Sequence, residues 1–140
     1  MYGIPQRCRS LSGAEEQVLL ALWQASPPAT RQQIGRQLES RGWADGTLLS
    51  FLSRLEAKGW VQVTKESNRN VYTPTVTRRA YGVYCMRERL DTLFGGDLAA
   101  AVRALVSECG ATPGQLEQAA AVLEEKRAEA EEYDSYDAFF

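Results

Sequence analysis

The sequence contains no histidine. Ser-His-Asp and Cys-His catalytic arrangements therefore cannot be assembled within one chain, and neither can a Cys/His zinc site. Its three cysteines, Cys8, Cys85 and Cys109, are odd in number and widely spaced, so they form no disulfide framework. A reducing, cytoplasmic setting is expected. No Gly-rich phosphate loop of the Walker or dinucleotide type occurs. No run approaches the ~20 apolar residues that span a bilayer. Arg7 and Arg9 are followed by no apolar segment of the kind an export signal needs. The carboxylates lie mostly on polar helix faces beside Lys or Arg, the pattern of solvated surface rather than acid–base machinery. The expectation is a protein without catalysis, cofactor, bound metal or membrane partner.

What is present is an ordinary globular composition, with 44% hydrophobic and 24% charged residues in 140. A chain of this size can bury enough surface for a core without covalent staples. The net charge of −2 hides an asymmetry. Residues 1–80 carry 11 Lys or Arg against 6 Asp or Glu, and residues 81–140 carry 5 against 12. Only the first half offers an attractive field to a polyanion.

Ser12-Gly-Ala-Glu15 reads as a capping box that opens a first helix. Val18, Leu19, Leu22 and Trp23 form its apolar face, and Pro27-Pro28 stops it. Thr30-Arg-Gln-Gln33 opens a second helix in the same way, with Ile34 and Leu38 inward and Gly42 as a left-handed stop. A third helix runs from Asp45 or Gly46 to Lys58, with Leu48, Phe51, Leu52 and Leu55 at core spacing and Gly59 ending it. Its other face carries Thr47, Ser50 and Arg54. The pattern then changes to period two: Trp60 to Thr64 and Asn70 to Thr73 read as a hairpin around a turn at Glu66 to Arg69.

Three short helices followed by a hairpin is the order of a winged helix-turn-helix, whose third helix enters the DNA major groove. The expected fold is mainly α with a small β-hairpin, a winged helix-turn-helix domain followed by an α-helical dimerisation arm. Residues 1–10 form an extension, 11–76 the winged helix, 77–132 the arm and 133–140 an acidic, aromatic tail that is frayed or docked on a partner. In the arm a long helix to Phe94 is broken by Gly95-Gly96, a second covers Leu98 to Glu108, and Thr112-Pro-Gly-Gln115 caps a third. Tyr81, Tyr84, Leu90, Leu93, Phe94, Leu98, Val102, Leu105, Leu116 and Leu123 give more apolar surface than three helices can hide, which points to two-fold association of identical chains.

The run Leu11-Ser-Gly-Ala-Glu15, Trp23, Trp43, Thr47-Leu-Leu-Ser-Phe-Leu-Ser-Arg-Leu55, Lys58-Gly-Trp60, Tyr72-Thr-Pro74 and Leu93-Phe-Gly-Gly96 resembles the penicillinase-repressor (BlaI/MecI/CopY) family of bacterial regulators. The resemblance implies a homodimeric winged-helix repressor that binds an inverted-repeat DNA operator and is relieved by a sensor protease or antirepressor. It places Gly46, Thr47, Leu49, Ser50, Ser53 and Arg54 on the DNA-reading helix and Lys65 and Arg69 on the wing. Gly46 and Leu49 stand where similar proteins often carry Lys and Arg, so this helix brings less positive charge to DNA. Arg103-Ala104 stands about where penicillin-responsive members have a cleavable Asn-Phe bond, and the Cys-rich tail of copper-responsive members is absent. The inducing signal therefore does not carry over.

Several residues admit two readings. Trp23 and Trp60 read as core rather than base-stacking platforms, Trp43 as either. Leu49 is a thymine-methyl contact, a partner contact or a plain surface leucine. Cys85 and Cys109 read as buried small hydrophobes, and Cys8 lies near two arginines that favour its thiolate. Glu124 to Asp137 is a solvated helix end or a competitor with DNA for the basic half. The functional alternative to a repressor is a protein-interaction module on the same scaffold with weak or no specific DNA binding.

Overall fold

Ser12 caps α1 (Gly13–Gln24): its hydroxyl accepts from the Glu15 amide at 3.2 Å, and the Glu15 carboxylate accepts from the Ser12 amide at 3.4 Å. This is the first element of a computed structural model that describes residues 10–137, with side chains described through 134. The expected N-terminal extension with Cys8, apart from Ser10, and the last residues of the tail lie outside the described residues.

After β1 (Ala29–Thr30), Thr30 and Gln33 form a second capping box at the start of α2 (Arg31–Arg36). The expected helix to Gly42 is shorter. From Ile34 onward the carbonyls accept from residues three positions ahead, so the winding tightens into a 3₁₀ turn (Glu39–Arg41) that Gly42 ends at φ +65°. α3 (Asp45–Ala57) buries Leu48, Leu52 and Leu55, with Phe51 half-buried at its margin. Gly59, at φ +88°, turns the chain into the sheet.

β2 (Val61–Glu66) and β3 (Arg69–Pro74) pair antiparallel, from Val61 opposite Pro74 to Glu66 opposite Arg69. Ser67 and Asn68 close them, both in the left-handed region, as a two-residue hairpin turn requires. β1 adds to the outer edge of β3, so the sheet has three strands in the order β1-β3-β2 rather than the two of a lone hairpin. Two residues are too few to show an alternation, and β1 exists only because β3 offers it an edge.

The core of this unit comprises Val18, Leu19, Leu22, Ile34, Leu52, Leu55 and Trp60, all fully buried. Trp23 packs at its margin, and its indole N–H donates to the Val76 carbonyl at 3.3 Å. Glu15 is also buried. Its carboxylate receives the Lys58 ammonium at 2.7–2.8 Å, which ties the start of α1 to the end of α3. Burial opposes ionisation of Glu15, but the bonds from Lys58 and Ser12 outweigh it and hold the carboxyl below its ordinary value of 4.5. A group depressed in the folded state stabilises fully above its unfolded pKa and loses that contribution as pH falls through the folded one. Denaturant midpoints should therefore hold above pH 4.5 and fall below it, and Glu15→Gln, which keeps the capping box, should flatten part of that fall. Identical acid limbs in parent and variant would remove Glu15 from the acid response.

The chain divides into two compact units, 1–87 and 88–140, with the division inside α4 (Arg78–Phe94) rather than at the expected residue 77. The reason is Tyr81. Expected on the dimerisation face, it is instead buried in the first unit, 5.3 Å centroid to centroid from Trp60 and 5.7 Å from Trp23, with its hydroxyl donating to Glu16. Tyr84, also expected on that face, is half-buried beside Trp60. The core of the winged helix thus claims the first turns of the supposed arm.

The second unit holds the rest of α4, α5 (Leu98–Glu108) and α6 (Pro113–Asp137). Asp97 caps α5 through the Ala100 amide, and Thr112 and Gln115 bond each other's amides at the start of α6. α6 continues through the expected tail as far as Asp137. No Gly or Pro follows Gly114 to stop it, and Arg127 and Lys126 bridge to Glu124, Glu131 and Glu129 one turn away. Cys109, expected to be buried, is exposed, whereas Cys85 is half-buried against the first unit's core.

Candidate nucleic-acid interface

Burying Leu48, Leu52 and Leu55 fixes the rotation of α3 about its axis. Gly46, Thr47, Leu49, Ser50, Ser53 and Arg54 are thereby all turned outward, and all six are exposed. The hydroxyls can bond phosphate or base edges, and a guanidinium can bond guanine in two places. Arg54 is held in place by stacking: its Cζ lies 5.5 Å from the centre of the Phe51 ring, and Phe51 lies 5.1 Å from Trp43. Trp43 is therefore the base of a stack that ends at Arg54.

The wing cations are both exposed, and neither makes an ion pair among the described residues. The structure does not bring them to one face. Successive residues of a pleated strand alternate, so Lys65, level with Asn70, and Arg69, level with Glu66, issue from opposite faces of the hairpin. Arg69 joins Leu49 in lining a groove of about 310 Å³, and Lys65 is not among its lining residues.

Sequence reasoning missed two residues at this face. Arg31, the first residue of α2, lines the same groove and bonds Asp45, the first residue of α3, at 2.8 Å. A signal existed in the arginine that directly follows the Thr30 cap. Its pairing with Asp45 depends on how the two helices cross. Burial pushes the Tyr72 hydroxyl above its ordinary value; Glu56 adds to that rise, while the Asn70 hydrogen bond and the Arg31 charge oppose it.

In the second unit Leu93, Phe94, Leu98, Leu105, Leu116 and Leu123 are exposed, and Leu90 and Val102 are half-buried. α5 and α6 form an open apolar groove of about 500 Å³ lined by Val102, Leu105, Val106, Leu116, Ala119 and Leu123, among others. Among the described residues there is no cluster of metal-ligating side chains, and no helix is long and apolar enough to cross a membrane.

The sequence model of the family described as penicillinase repressor matches residues 11–125, most of the chain. The chain belongs to the penicillinase repressor family. That family is one of transcriptional repressors, not an enzyme class. The penicillinase repressor of Bacillus licheniformis is 26% identical over 127 residues, covering 91% of this chain and 96% of that protein. A solution structure of the monomeric form of Bacillus licheniformis BlaI, in complex with the blaP half-operator, is 27% identical. It covers 52% of this chain and 89% of that one, with a TM-score of 0.45. The family match spans both compact units, so the helices that follow the winged helix are part of what the family shares.

Proposed function

We propose that this penicillinase repressor relative represses transcription by binding an inverted-repeat operator as a homodimer, with α3 in the major groove and the wing on the backbone. The observation that carries this reading is the outward face of α3, where hydroxyls and the stacked Arg54 stand together on a helix whose opposite side is sealed in the core. The exposed apolar face of α5 and α6 supports dimerisation, because a surface of that extent is stable in water only when covered. Two copies related by a two-fold axis present two reading helices to two half-sites. Repression is then occlusion of the promoter, relieved when the dimer is cut or loses its helical arm.

The test is a fluorescence-anisotropy titration against the DNA upstream of the protein's own gene and against a scrambled duplex, at two salt concentrations. Salt-sensitive preference for the native duplex supports the reading. Weak, equal binding to both duplexes by a stable dimer sinks it in favour of a protein-interaction module.

Arg54→Ala should weaken operator binding by about 1–3 kcal/mol and lower the preference for the operator, as loss of a base contact does. An even loss across all duplexes would assign Arg54 to phosphate, and unchanged binding would remove it from the interface.

A further inference from the structure

Arg31 stands between two grooves. One, of about 410 Å³, includes Arg36, Trp43 and Asp45 in its lining. The other is the groove of about 310 Å³ that Arg31 shares with Gln32, Leu49, Arg69 and Asn70. Asp45 borders only the first, so its bond to Arg31 draws the guanidinium to that side. The second groove is bordered by two arginines, one from α2 and one from the wing, with no carboxylate among its lining residues. It also borders Leu49, on the exposed face of α3.

We propose that the second groove receives one DNA phosphate between Arg31 and Arg69, and that Asp45 is the counter-ion Arg31 leaves when the phosphate arrives. This rests on the DNA-binding reading above. The Asp45 side chain is 81% exposed, and an ion pair so open to water holds weakly. A phosphate offers the same guanidinium two parallel, charge-assisted bonds. The exchange therefore favours DNA but starts from an occupied Arg31, so every duplex that seats a phosphate in the groove first meets the cost of parting Arg31 from Asp45. Asp45 in this sense sets the cost of the phosphate contact without touching the DNA.

The test is a double-mutant cycle on the full-length protein, read by anisotropy on operator and scrambled duplexes between 50 and 200 mM salt. Arg31→Ala should weaken binding to both duplexes and make the affinity change across that salt range about 3.5-fold smaller per bound chain, the signature of one lost phosphate contact. Arg31→Lys should retain the salt dependence. Asp45→Asn should strengthen binding to each duplex that Arg31→Ala weakens, and should lose that gain when Arg31 is also alanine. If Arg31→Ala unfolds the domain, Arg31→Gln keeps the stem and removes only the charge.

An Asp45→Asn gain of equal size with and without Arg31 overturns the exchange, because Asp45 then acts on DNA directly. Unchanged salt dependence in Arg31→Ala overturns the phosphate site. Failure of the parent protein to bind any duplex would instead overturn the DNA-binding reading, so the two failures are distinguishable.

Discussion

Replacing Lys58 by methionine should destabilise the winged-helix unit by about 3–5 kcal/mol, the usual cost of removing one partner from a buried ion pair. Lys58 is itself only 26% exposed, and it closes on a Glu15 carboxylate that is 4% exposed. Its ammonium also donates to the Ser10 carbonyl at 3.0 Å, so one side chain joins the entry to α1, the first turn of α1 and the end of α3. Methionine keeps an apolar stem out to the ε position but leaves the buried Glu15 carboxylate without its cation. The carboxyl must then either stay ionised without a partner or take up a proton. Urea unfolding followed by tryptophan fluorescence reads the loss. The double variant Glu15→Gln with Lys58→Met should recover much of the loss, because a buried pair replaced as a whole costs little. A single-variant loss below about 1 kcal/mol would class the bond with ordinary surface pairs.

The second large effect is expected from Leu105→Glu. Leu105 is 60% exposed on α5 and lines the apolar groove with Leu116 and Leu123. A carboxylate there leaves the chain folded but puts a charge into the surface proposed to meet its copy. Sedimentation should show a monomer. Affinity for the complete inverted repeat should fall by about 10²–10⁴, the advantage that linking two binding modules confers, while affinity for one half-site stays the same. A variant that remains dimeric would place the interface elsewhere. A monomer with undiminished affinity for the full site would show that the two half-sites are bound independently.

Much of the fold was legible because it is governed by neighbours in sequence. The capping boxes at Ser12 and Thr30 bring together groups three residues apart, and the stops at Gly42 and Gly59 need only a left-handed backbone that glycine adopts without cost. The outward set on α3 followed from period 3.6 once its core leucines were recognised. The alternation from Val61 marked the hairpin, but its extension to Glu66 and Pro74 required the partner strand.

The residues misplaced or missed all depend on contacts between distant segments. Tyr81 and Leu93 look alike in a helical pattern, yet one is covered by Trp23 and Trp60 and the other is 64% exposed. Cys109 follows a helix with an apolar face but stands at its C-terminal cap, where it is exposed. Arg31 and Asp45 are fourteen positions apart and meet only because two helices cross. By itself the sequence determined the order of helices and strands, the charge asymmetry and the outward face of α3, since each follows from local backbone preference and the separation of apolar from polar groups. Only the tertiary structure decided that Glu15 pairs with Lys58, that β1 completes the sheet, that α4 belongs in part to the winged helix, and that Arg31 faces a groove shared with the wing. Those features are pairings across dozens of residues, and their partners are chosen by packing and burial rather than by sequence spacing.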